Sequence, residues 1–240
     1  MGKRGKRYRA SLEKIEADRL YHPKAGFGLL KEIANTKYDA TVDCAFRLGI
    51  DPRKADQMIR GAVSLPHGIG KSVRVAVVAG GDKAAEAREA GADHVGSDDL
   101  VELLGQGDIL SEIDSVIATP DMMGKLGRLG KTLGPRGLMP NPKSGTVTMD
   151  VAKAVREIKA GRVEYRSDRN GNVHAVLGKA SFTVDQLVDN YAALLGEILR
   201  QRPSAAKGRY IQTVAISTSM SPSVPLDPAR ARNLLEDDDA

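Results

Sequence analysis

The stretch Asp121–Val147 restricts the possible fold of this chain more than any other segment. It contains six glycines and three prolines. Glycine destabilises the interior of a helix, and proline removes a backbone donor that a helix or a central strand requires. Asp121 is the only acid in the stretch, whose basic residues are Lys125, Arg128, Lys131, Arg136 and Lys143. We therefore expect an irregular, exposed basic surface suited to a phosphate-bearing partner, with a flexible surface loop as the alternative.

One rival interpretation of this stretch is a nucleotide-binding loop. Gly130–Thr132 (GKT) matches the end of the motif G-x-x-x-x-G-K-[ST]. That motif requires a glycine where this chain has Lys125, and a helix directly after the loop, whereas Gly134–Pro135 follows. Gly80–Gly81 likewise lacks the spacing G-x-G-x-x-G of a dinucleotide site. The sequence therefore predicts neither an NTP nor a dinucleotide cofactor.

Charge is distributed unevenly along the chain. The 240 residues carry a net charge of +5, but residues 82–121 contain two basic and eleven acidic residues, a balance of −9, so the remainder carries +14. This separation predicts an acidic surface and another surface suited to a polyanion. Cys44 is the only cysteine, which excludes an intrachain disulfide and is typical of a reducing cytoplasm. No apolar run approaches the roughly 20 residues of a membrane helix, and the basic N-terminus lacks the apolar core of a secretory signal.

Hydrophobic periodicity predicts an α/β fold. Alternating apolar residues predict a strand from Thr41, and the nearly continuous apolar run Val73–Ala79 predicts a strand buried on both faces. Helix and strand patterns alternate from there to Ala118, which favours a small parallel sheet in the order βαβαβ. The other predicted elements are a mobile basic arm over 1–10, a helix after Pro23, a short helix within 50–71, helices Asp150–Ala160 and Thr183–Gln201, a hairpin over 163–178 that turns at Asn170–Gly171, and a strand Tyr210–Ile216.

No sequence pattern indicates catalysis or metal binding. The four histidines, His22, His67, His94 and His174, lie far apart, and none has metal-ligand spacing with a cysteine or another histidine. The nucleophile motif G-x-S-x-G is also absent. Carboxylates that are distant in sequence can still meet in a fold, so an enzyme is not excluded on this ground alone. We expect no cofactor, no metal and no enzymatic activity.

Several motifs together resemble one known family. They are LGPRGLMPNPKSGTV in the basic stretch, GKRYRA near the N-terminus, LGIDPRKADQMIRGAVSLPHGIGK, GKASF and STSMSPS. Over residues 3–230 the chain is similar to the large-subunit ribosomal proteins of the L one family, which form the mobile stalk beside the tRNA exit site. This resemblance implies a discontinuous α+β two-layer domain of residues 1–67 and 161–233, an inserted Rossmann-like domain of residues 68–160, and an acidic tail, 234–240.

The resemblance also implies a function in translation. The discontinuous domain is expected to bind 23S-type ribosomal RNA, and the inserted domain to move with the stalk and assist release of deacylated tRNA from the exit site. The family also represses translation of its own messenger RNA. The implied partners are the large ribosomal subunit, 23S-type RNA, exit-site tRNA and the protein's own message. The resemblance further implies a cytoplasmic, ribosome-associated protein that contacts no membrane and is a monomer when free.

Two sets of residues match positions that this family offers to RNA. The ribosomal RNA set is Lys37, Tyr38, Thr41, Arg166, His174, Lys179, Ser181, Ser217, Thr218, Ser219, Met220 and Ser221. The basic set, a possible contact surface for RNA or tRNA, is Lys125, Arg128, Lys131, Arg136 and Lys143. Short hydroxyl side chains exchange hydrogen bonds with 2′-hydroxyls and phosphates, whereas the basic side chains supply charge.

The chain departs from the family pattern at a few positions. Tyr38 stands where phenylalanine is common, and STSMSPS stands where the family tends to have STTMGPG. Ser219 keeps the hydroxyl of the threonine that it replaces. Ser221 and Ser223 each replace a glycine, which matters if the backbone there needs a positive φ or a close approach to RNA. Two alternative functions remain: a nonspecific basic RNA chaperone, and a nucleotide-binding enzyme built on the βαβ region.

Overall fold

A computed structural model describes residues 5–16, 19–54 and 56–228 of the chain. These residues divide into two compact units, one formed by the chain up to Gly70 and from Val163 onward, the other by Lys71–Arg162. The limits inferred from the sequence, 1–67 with 161–233 and 68–160, remain our proposal for the domains. The predicted acidic tail, 234–240, and the first four residues of the predicted basic arm lie outside the described residues.

Helices and strands are mixed along the whole described chain, which confirms the predicted α/β class. The helices are α1 (Lys6–Glu13), α2 (Pro23–Ile33), α3 (Asp82–Glu89), α4 (Asp98–Gln106), α5 (Met123–Leu126), α6 (Gly130–Leu133), α7 (Val151–Lys159) and α8 (Val184–Arg200). The strands are β1 (Thr41–Leu48), β2 (Arg60–Ser64), β3 (Val75–Val78), β4 (His94–Gly96), β5 (Ser115–Ala118), β6 (Arg162–Arg166), β7 (Asn172–Lys179), β8 (Ile211–Thr218) and β9 (Val224–Leu226).

The first unit is built on a four-stranded antiparallel sheet in the order β7-β1-β8-β9. The central strand β1 alternates as predicted: Val42, Cys44, Phe46 and Leu48 are buried, and the residues between them are half-buried or exposed. The buried side packs against α2 and α8, where the rings of Phe46 and Tyr191 stack with their centroids 5.9 Å apart. Burial of each large apolar side chain stabilises this arrangement by roughly 1.5–3 kcal/mol.

The helices that cover this sheet begin where the sequence predicts. Pro23 is the first residue of α2, where its fixed φ suits a helix and its missing N–H leaves no hydrogen bond unmade. α8 begins with a capping box: Thr183 Oγ1 accepts a hydrogen bond from Gln186 N, and Gln186 Oε1 accepts one from Thr183 N. The helix predicted over Thr183–Gln201 is therefore confirmed.

The hairpin predicted over 163–178 is wrong, although its turn is present. Gly171 has the positive φ, +79°, that such a turn requires. Beyond the turn, an isolated bridge between Ser167 and Val173 joins the two segments. β6 then pairs with β2, whereas β7 pairs with β1. A turn signal is local, but the partner of a strand depends on which distant segment buries its apolar face.

Other predictions in the first unit also need correction. Residues 6–10 belong to α1 instead of a mobile arm. The described residues between Leu48 and Arg60 form turns, not the short helix expected within 50–71, and the chain then enters β2. β9, which was not predicted, pairs with β8. Short strands have weak periodicity, so their pairing with distant strands identifies them better than their own sequence does.

The second unit contains the predicted βαβαβ arrangement. Its strands are parallel and lie in the order β4-β3-β5. All residues of β3, Val75–Val78, are buried, because helical segments cover both faces of the sheet. α3 and α7 pack on one face, and α4 with segments from Met122 to Leu138 packs on the other. These observations confirm a Rossmann-like unit, in which α7 is the helix predicted over Asp150–Ala160.

The stretch Asp121–Val147 is more regular than its composition predicts. From Pro120 to Leu133 the backbone forms a continuous series of short 3-10 and α-helical turns that includes α5 and α6. Met122, Leu126 and Leu133 are buried in the core of the second unit. Their burial outweighs the roughly 1 kcal/mol by which each glycine disfavours a helix.

Candidate nucleic-acid interface

One face of the first unit's sheet is accessible to solvent. Alternation along β1 turns Thr41, Asp43, Ala45 and Arg47 away from the core. Residues of the neighbouring strands continue this surface, which we call the open sheet face. Its other members are His174, Val176 and Lys179 of β7 and Thr213, Ala215 and Ser217 of β8. All of these residues are half-buried or exposed, so the face presents polar and small side chains to a partner.

At one end of this face Ser217–Ser221 forms a compact turn, here called the hydroxyl turn. Ser221 Oγ accepts a hydrogen bond from Thr218 N at 3.0 Å, and Ser221 N donates to Thr218 O at 3.1 Å. These bonds hold Met220 with 64% of its surface exposed. An exposed apolar side chain on a fixed backbone suits contact with a partner.

The hydroxyl turn lies beside the start of β1. Ser219 N donates to Thr41 O at 3.2 Å, and Lys179 Nζ donates to Thr41 Oγ1 at 2.9 Å. Lys179, Thr41 and Ser219 are therefore neighbours across three strands. Tyr38, which precedes β1, is 52% exposed, and Lys37 is exposed as well. A basic group and the hydroxyl turn thus meet at Thr41, and the exposed Tyr38 lies three residues before it.

Two further members of the ribosomal RNA set, Ser181 and Thr218, are also engaged or buried within the protein. The Asp39 carboxylate accepts hydrogen bonds from Ser181 N at 2.9 Å and from Ser181 Oγ at 2.8 Å. Thr218 is only 4% exposed, and its hydroxyl has no hydrogen-bond partner among the described residues. Thr218 therefore supports the hydroxyl turn from inside and does not face solvent.

Arg166 at the end of β6 and His174 of β7 form a second group, away from the hydroxyl turn. The bridge between Ser167 and Val173 places Arg166 opposite His174, and both side chains are exposed. His174 precedes Lys179 by five residues of β7, which corresponds to about 16 Å of strand. The structure therefore spreads the ribosomal RNA set along one side of the unit instead of gathering it into a single pocket.

Two charged residues of the open sheet face, Asp43 and Arg47, were not predicted as contacts. Arg47 is exposed, and Asp43 is half-buried beside Ser217 of β8. Partial burial raises the pKa of Asp43 above its ordinary value, and the charges of Lys179 and His174 oppose this rise. The alternation of β1 was the signal that could have identified both residues, because it turns them to the same side as Thr41.

Helix α1 also borders the hydroxyl turn. Arg7 Nη1 donates a hydrogen bond to Asn35 O at 3.1 Å. A cavity of about 20 Å³ lies nearby, lined by Arg7, Tyr8, Ser11, Ile33, Asn35, Thr36, Thr218, Met220 and Ser221. This volume is enough for a single water molecule. The N-terminal segment, expected to be a mobile arm, is therefore a structural neighbour of the candidate interface.

In the second unit, every member of the basic set is exposed. Lys125 forms an ion pair with Asp98, whereas the described residues place no carboxylate within 4.0 Å of the other four members. Between the basic residues, the glycines at 124, 127 and 130 have no atom within 4 Å of the position that a Cβ would occupy. A partner could therefore approach the backbone closely at Gly124 and Gly127, which are exposed, whereas Gly130 is half-buried on the same side as Leu126 and Leu133.

The described ranges contain no group of three or more His, Cys, Asp or Glu residues placed to hold a metal ion. None of the helices in those ranges is long and apolar enough to cross a membrane.

Comparison with known proteins connects both candidate surfaces to one family. The model of the ribosomal protein L1p/L10e family matches residues 30–222, a span that contains every member of the ribosomal RNA set and of the basic set. The chain belongs to this family. It is 60% identical over 237 residues to the large ribosomal subunit protein uL1 of Streptomyces virginiae, covering 99% of this chain and 98% of the relative. The uL1 protein of Frankia alni is 58% identical, covering 98% of this chain and 98% of the relative. The uL1 protein of Thermobifida fusca is also 58% identical, covering 96% of this chain and 97% of the relative.

The L1p/L10e assignment confirms the resemblance inferred from the motifs. Two of those motifs, GKASF and STSMSPS, are far apart in sequence, yet Lys179 of the first and Ser219 of the second both donate hydrogen bonds to Thr41. The fold thus joins separate family motifs into one surface of the first unit.

Proposed function

We propose that the protein is a structural component of the large ribosomal subunit that binds 23S-type ribosomal RNA through its first unit. The observation that carries this proposal is the meeting of the hydroxyl turn and Lys179 at Thr41 on an open sheet face, with Tyr38 exposed three residues before Thr41. Relatives about 60% identical over nearly the whole chain are named as large ribosomal subunit proteins. The proposal assigns the protein no catalytic step and no cofactor.

The chemistry of this surface suits folded RNA. Lys37, Lys179 and Arg166 supply the positive charge that phosphates require, and phosphate contacts provide affinity and position. Hydroxyl and backbone groups of the turn exchange hydrogen bonds with 2′-hydroxyls, which distinguish RNA from DNA. Met220 and Tyr38 add apolar contact with a ribose or a base. Because internal hydrogen bonds already fix the turn, binding does not have to order it.

A second part of the proposal concerns the second unit. Its basic set contacts exit-site tRNA, moves with the ribosomal stalk and assists release of deacylated tRNA. Support comes from the exposure of all its basic side chains and from the open space around the glycines between them. Phosphates can approach such a surface without displacing large side chains.

The first unit also accounts for regulation and location. A surface that recognises RNA by shape accepts any RNA that imitates the ribosomal site, so we propose that it binds the protein's own messenger RNA and represses its translation. The free protein would be a cytoplasmic monomer with no membrane contact, and the assembled protein would be ribosome-associated.

The test is binding of the purified protein to fragments of its own large-subunit ribosomal RNA, at physiological salt and with excess tRNA as competitor. We expect one fragment to bind tightly, and Met220→Ala combined with Tyr38→Ala to weaken it by about tenfold or more, as for loss of central anchor residues. The matched control is Met149→Ala, which truncates a methionine that is 55% exposed in the second unit.

A nonspecific basic RNA chaperone would give a different result. It would bind every fragment equally, and its affinity would follow salt concentration through phosphate contacts alone. Equal binding to all fragments would therefore overturn the ribosomal proposal.

A further inference from the structure

The open sheet face carries a single acid near its centre. Among the outward residues of β1, β7 and β8, the basic ones are Arg47, His174 and Lys179, and Asp43 alone is acidic. Asp43 pairs with Val176 on one side and with Ser217 on the other. A carboxylate in this position repels the phosphates that the surrounding basic residues attract. Its presence therefore needs a physical explanation.

Asp43 forms no ion pair with any residue that the structure describes. In the part of the chain that the structure describes, no basic nitrogen lies within 4.0 Å of its carboxylate. Lys179, whose charge acts on Asp43, donates its hydrogen bond to Thr41 instead. A carboxylate that served only to balance the charge of the face would be expected to pair with Lys179 or His174.

The partly buried position of Asp43 also lowers the folding stability of the free protein when its carboxylate is charged. Partial burial raises the pKa of Asp43, and the opposing charges of Lys179 and His174 do not cancel this effect. Because the pKa in the folded state lies above that in the unfolded chain, the folded state loses stability as the pH rises through these pKa values and the group ionises. The charged form of Asp43 therefore lowers folding stability, and no ion pair with a described residue offsets this loss.

We propose that Asp43 is a specificity-determining residue of the RNA interface, whose carboxylate accepts a hydrogen bond from an N–H or O–H donor of the bound RNA. This inference rests on the proposed function. RNA presents such donors on the edges of unpaired bases and on its 2′-hydroxyls, whereas its phosphates only accept. A carboxylate therefore favours an RNA that places a donor at this point and rejects one that places a phosphate there.

The neighbours of Asp43 fit this role. Ala45 and Ala215 pair on the adjoining outward row of the sheet, and their small side chains leave room for a base edge or a ribose above the strands. His174 pairs with Ala45 on the same row, and Lys179 lies nearer the hydroxyl turn. Basic residues on both sides of Asp43 are thus placed to hold the phosphates that flank a central nucleotide.

The experiment compares Asp43→Asn with the wild type on two RNAs: the ribosomal fragment that binds tightly and an unrelated structured RNA. Asparagine keeps the size of the side chain and one acceptor oxygen, but it removes the charge and replaces the second acceptor oxygen with an N–H donor, so a charge-assisted hydrogen bond is lost. We expect the variant to bind the ribosomal fragment about tenfold or more weakly. It should bind the unrelated RNA as tightly as the wild type or slightly better, because a repulsive charge has been removed.

The matched control, Asp56→Asn, removes the same charge from an exposed turn and should change both affinities by less than about twofold.

Modified fragments identify the donor. Single 2′-deoxy nucleotides remove a ribose O–H, and inosine in place of guanosine removes an exocyclic amino group. The wild type should lose affinity for one such fragment, and Asp43→Asn should lose less, because asparagine has already removed the charge-assisted part of the same hydrogen bond. If every modified fragment weakens both proteins by the same factor, Asp43 makes no such bond and the inference is overturned.

Two further outcomes would also overturn it. In the first, Asp43→Asn binds the ribosomal fragment as tightly as the wild type, which would make Asp43 only a charge on the face. In the second, Asp43→Asn weakens both RNAs equally and melts at a lower temperature than the wild type, which would reveal a structural role. The raised pKa leads us to expect the same or a higher melting temperature. Failure of the proposed function would look different from failure of this inference, because the wild-type protein would then bind all ribosomal RNA fragments with equal affinity.

Discussion

Single residues of the hydroxyl turn explain how this chain tolerates its departures from the family pattern. The family tends to have glycine where this chain has Ser221 and Ser223, yet among the residues described no amino acid other than glycine has a positive φ. Ser221 therefore needs no left-handed backbone. Its hydroxyl accepts a hydrogen bond from Thr218 N and donates one to Pro222 O, both at 3.0 Å. Serine thus fixes a turn that glycine would leave with more conformational freedom.

Ser221→Gly should lower the free energy of unfolding by about 1–2 kcal/mol, through loss of the side-chain hydrogen bonds and a larger entropy of the unfolded chain. Ser223→Gly is the matched control, because Ser223 is exposed and should lose only the entropic part, about 0.5–1 kcal/mol. Urea denaturation of both variants measures the difference. Equal losses would show that the Ser221 hydroxyl does not hold the turn.

At the scale of elements, the helical run from Pro120 to Leu133 illustrates how packing overrides composition. Its buried leucines hold it against the parallel sheet, while its glycines at 127 and 130 have helical backbones, with φ −54° and ψ −33° at the first and φ −55° and ψ −31° at the second. A Cβ at either position would meet no atom within 4 Å. The free protein therefore gives no packing reason for glycine there, which agrees with a surface reserved for close approach by a partner.

Gly127→Ala and Gly130→Ala should each raise the free energy of unfolding by up to about 1 kcal/mol, since alanine favours a helix over glycine. Gly134→Ala provides the contrast, because its Cβ would lie 2.5 Å from Gly130 O and should destabilise the unit. Thermal denaturation of the three variants ranks them. Destabilisation by Gly127→Ala or Gly130→Ala as large as that by Gly134→Ala would contradict the statement that a Cβ fits at these two positions.

At the scale of the whole molecule, the two units carry separable parts of the proposed function. The first unit presents hydroxyl, apolar and basic groups on a fixed surface for ribosomal RNA, whereas the second presents exposed basic residues on a helical run. The net charge of +5 is the sum of −9 over residues 82–121 and +14 elsewhere. The net charge of the whole chain therefore does not reveal the basic surface of either unit. Substitutions in one unit should therefore leave the binding by the other unchanged.

Neutralising Lys125, Arg128 and Lys131 together to glutamine should slow release of deacylated tRNA from ribosomes that contain the variant. Affinity for the ribosomal RNA fragment should stay within about twofold of the wild type, because these residues lie outside the first unit. Release of fluorescently labelled tRNA from the exit site and fragment binding measure the two effects.

The control for this experiment is the triple substitution of Lys14, Lys24 and Lys207 to glutamine, which removes the same charge from exposed positions of the first unit. It should leave tRNA release unchanged. Equal slowing by both triple variants would assign the effect to net charge and not to the basic set.

Much of this protein could be predicted from its sequence because the relevant signals are local. The alternation of Val42, Cys44, Phe46 and Leu48 identified the central strand of the first sheet, since side chains of a strand point to opposite faces in turn. The apolar run around Val75–Val78 identified a strand buried on both sides. Motifs such as STSMSPS identified the family, and the resemblance to it predicted the ribosomal RNA set.

Tertiary structure alone decided what those signals leave open. The turn at Gly171 was predicted, yet only pairing with distant strands determined that β6 and β7 belong to different sheets. The burial of Thr218, the meeting of Lys179 and Ser219 at Thr41, and the half-buried position of Asp43 without an ion pair among the described residues all depend on which segments pack together. Periodicity and turn chemistry act within a few residues, whereas burial and strand partners are settled by contacts between residues far apart in the chain.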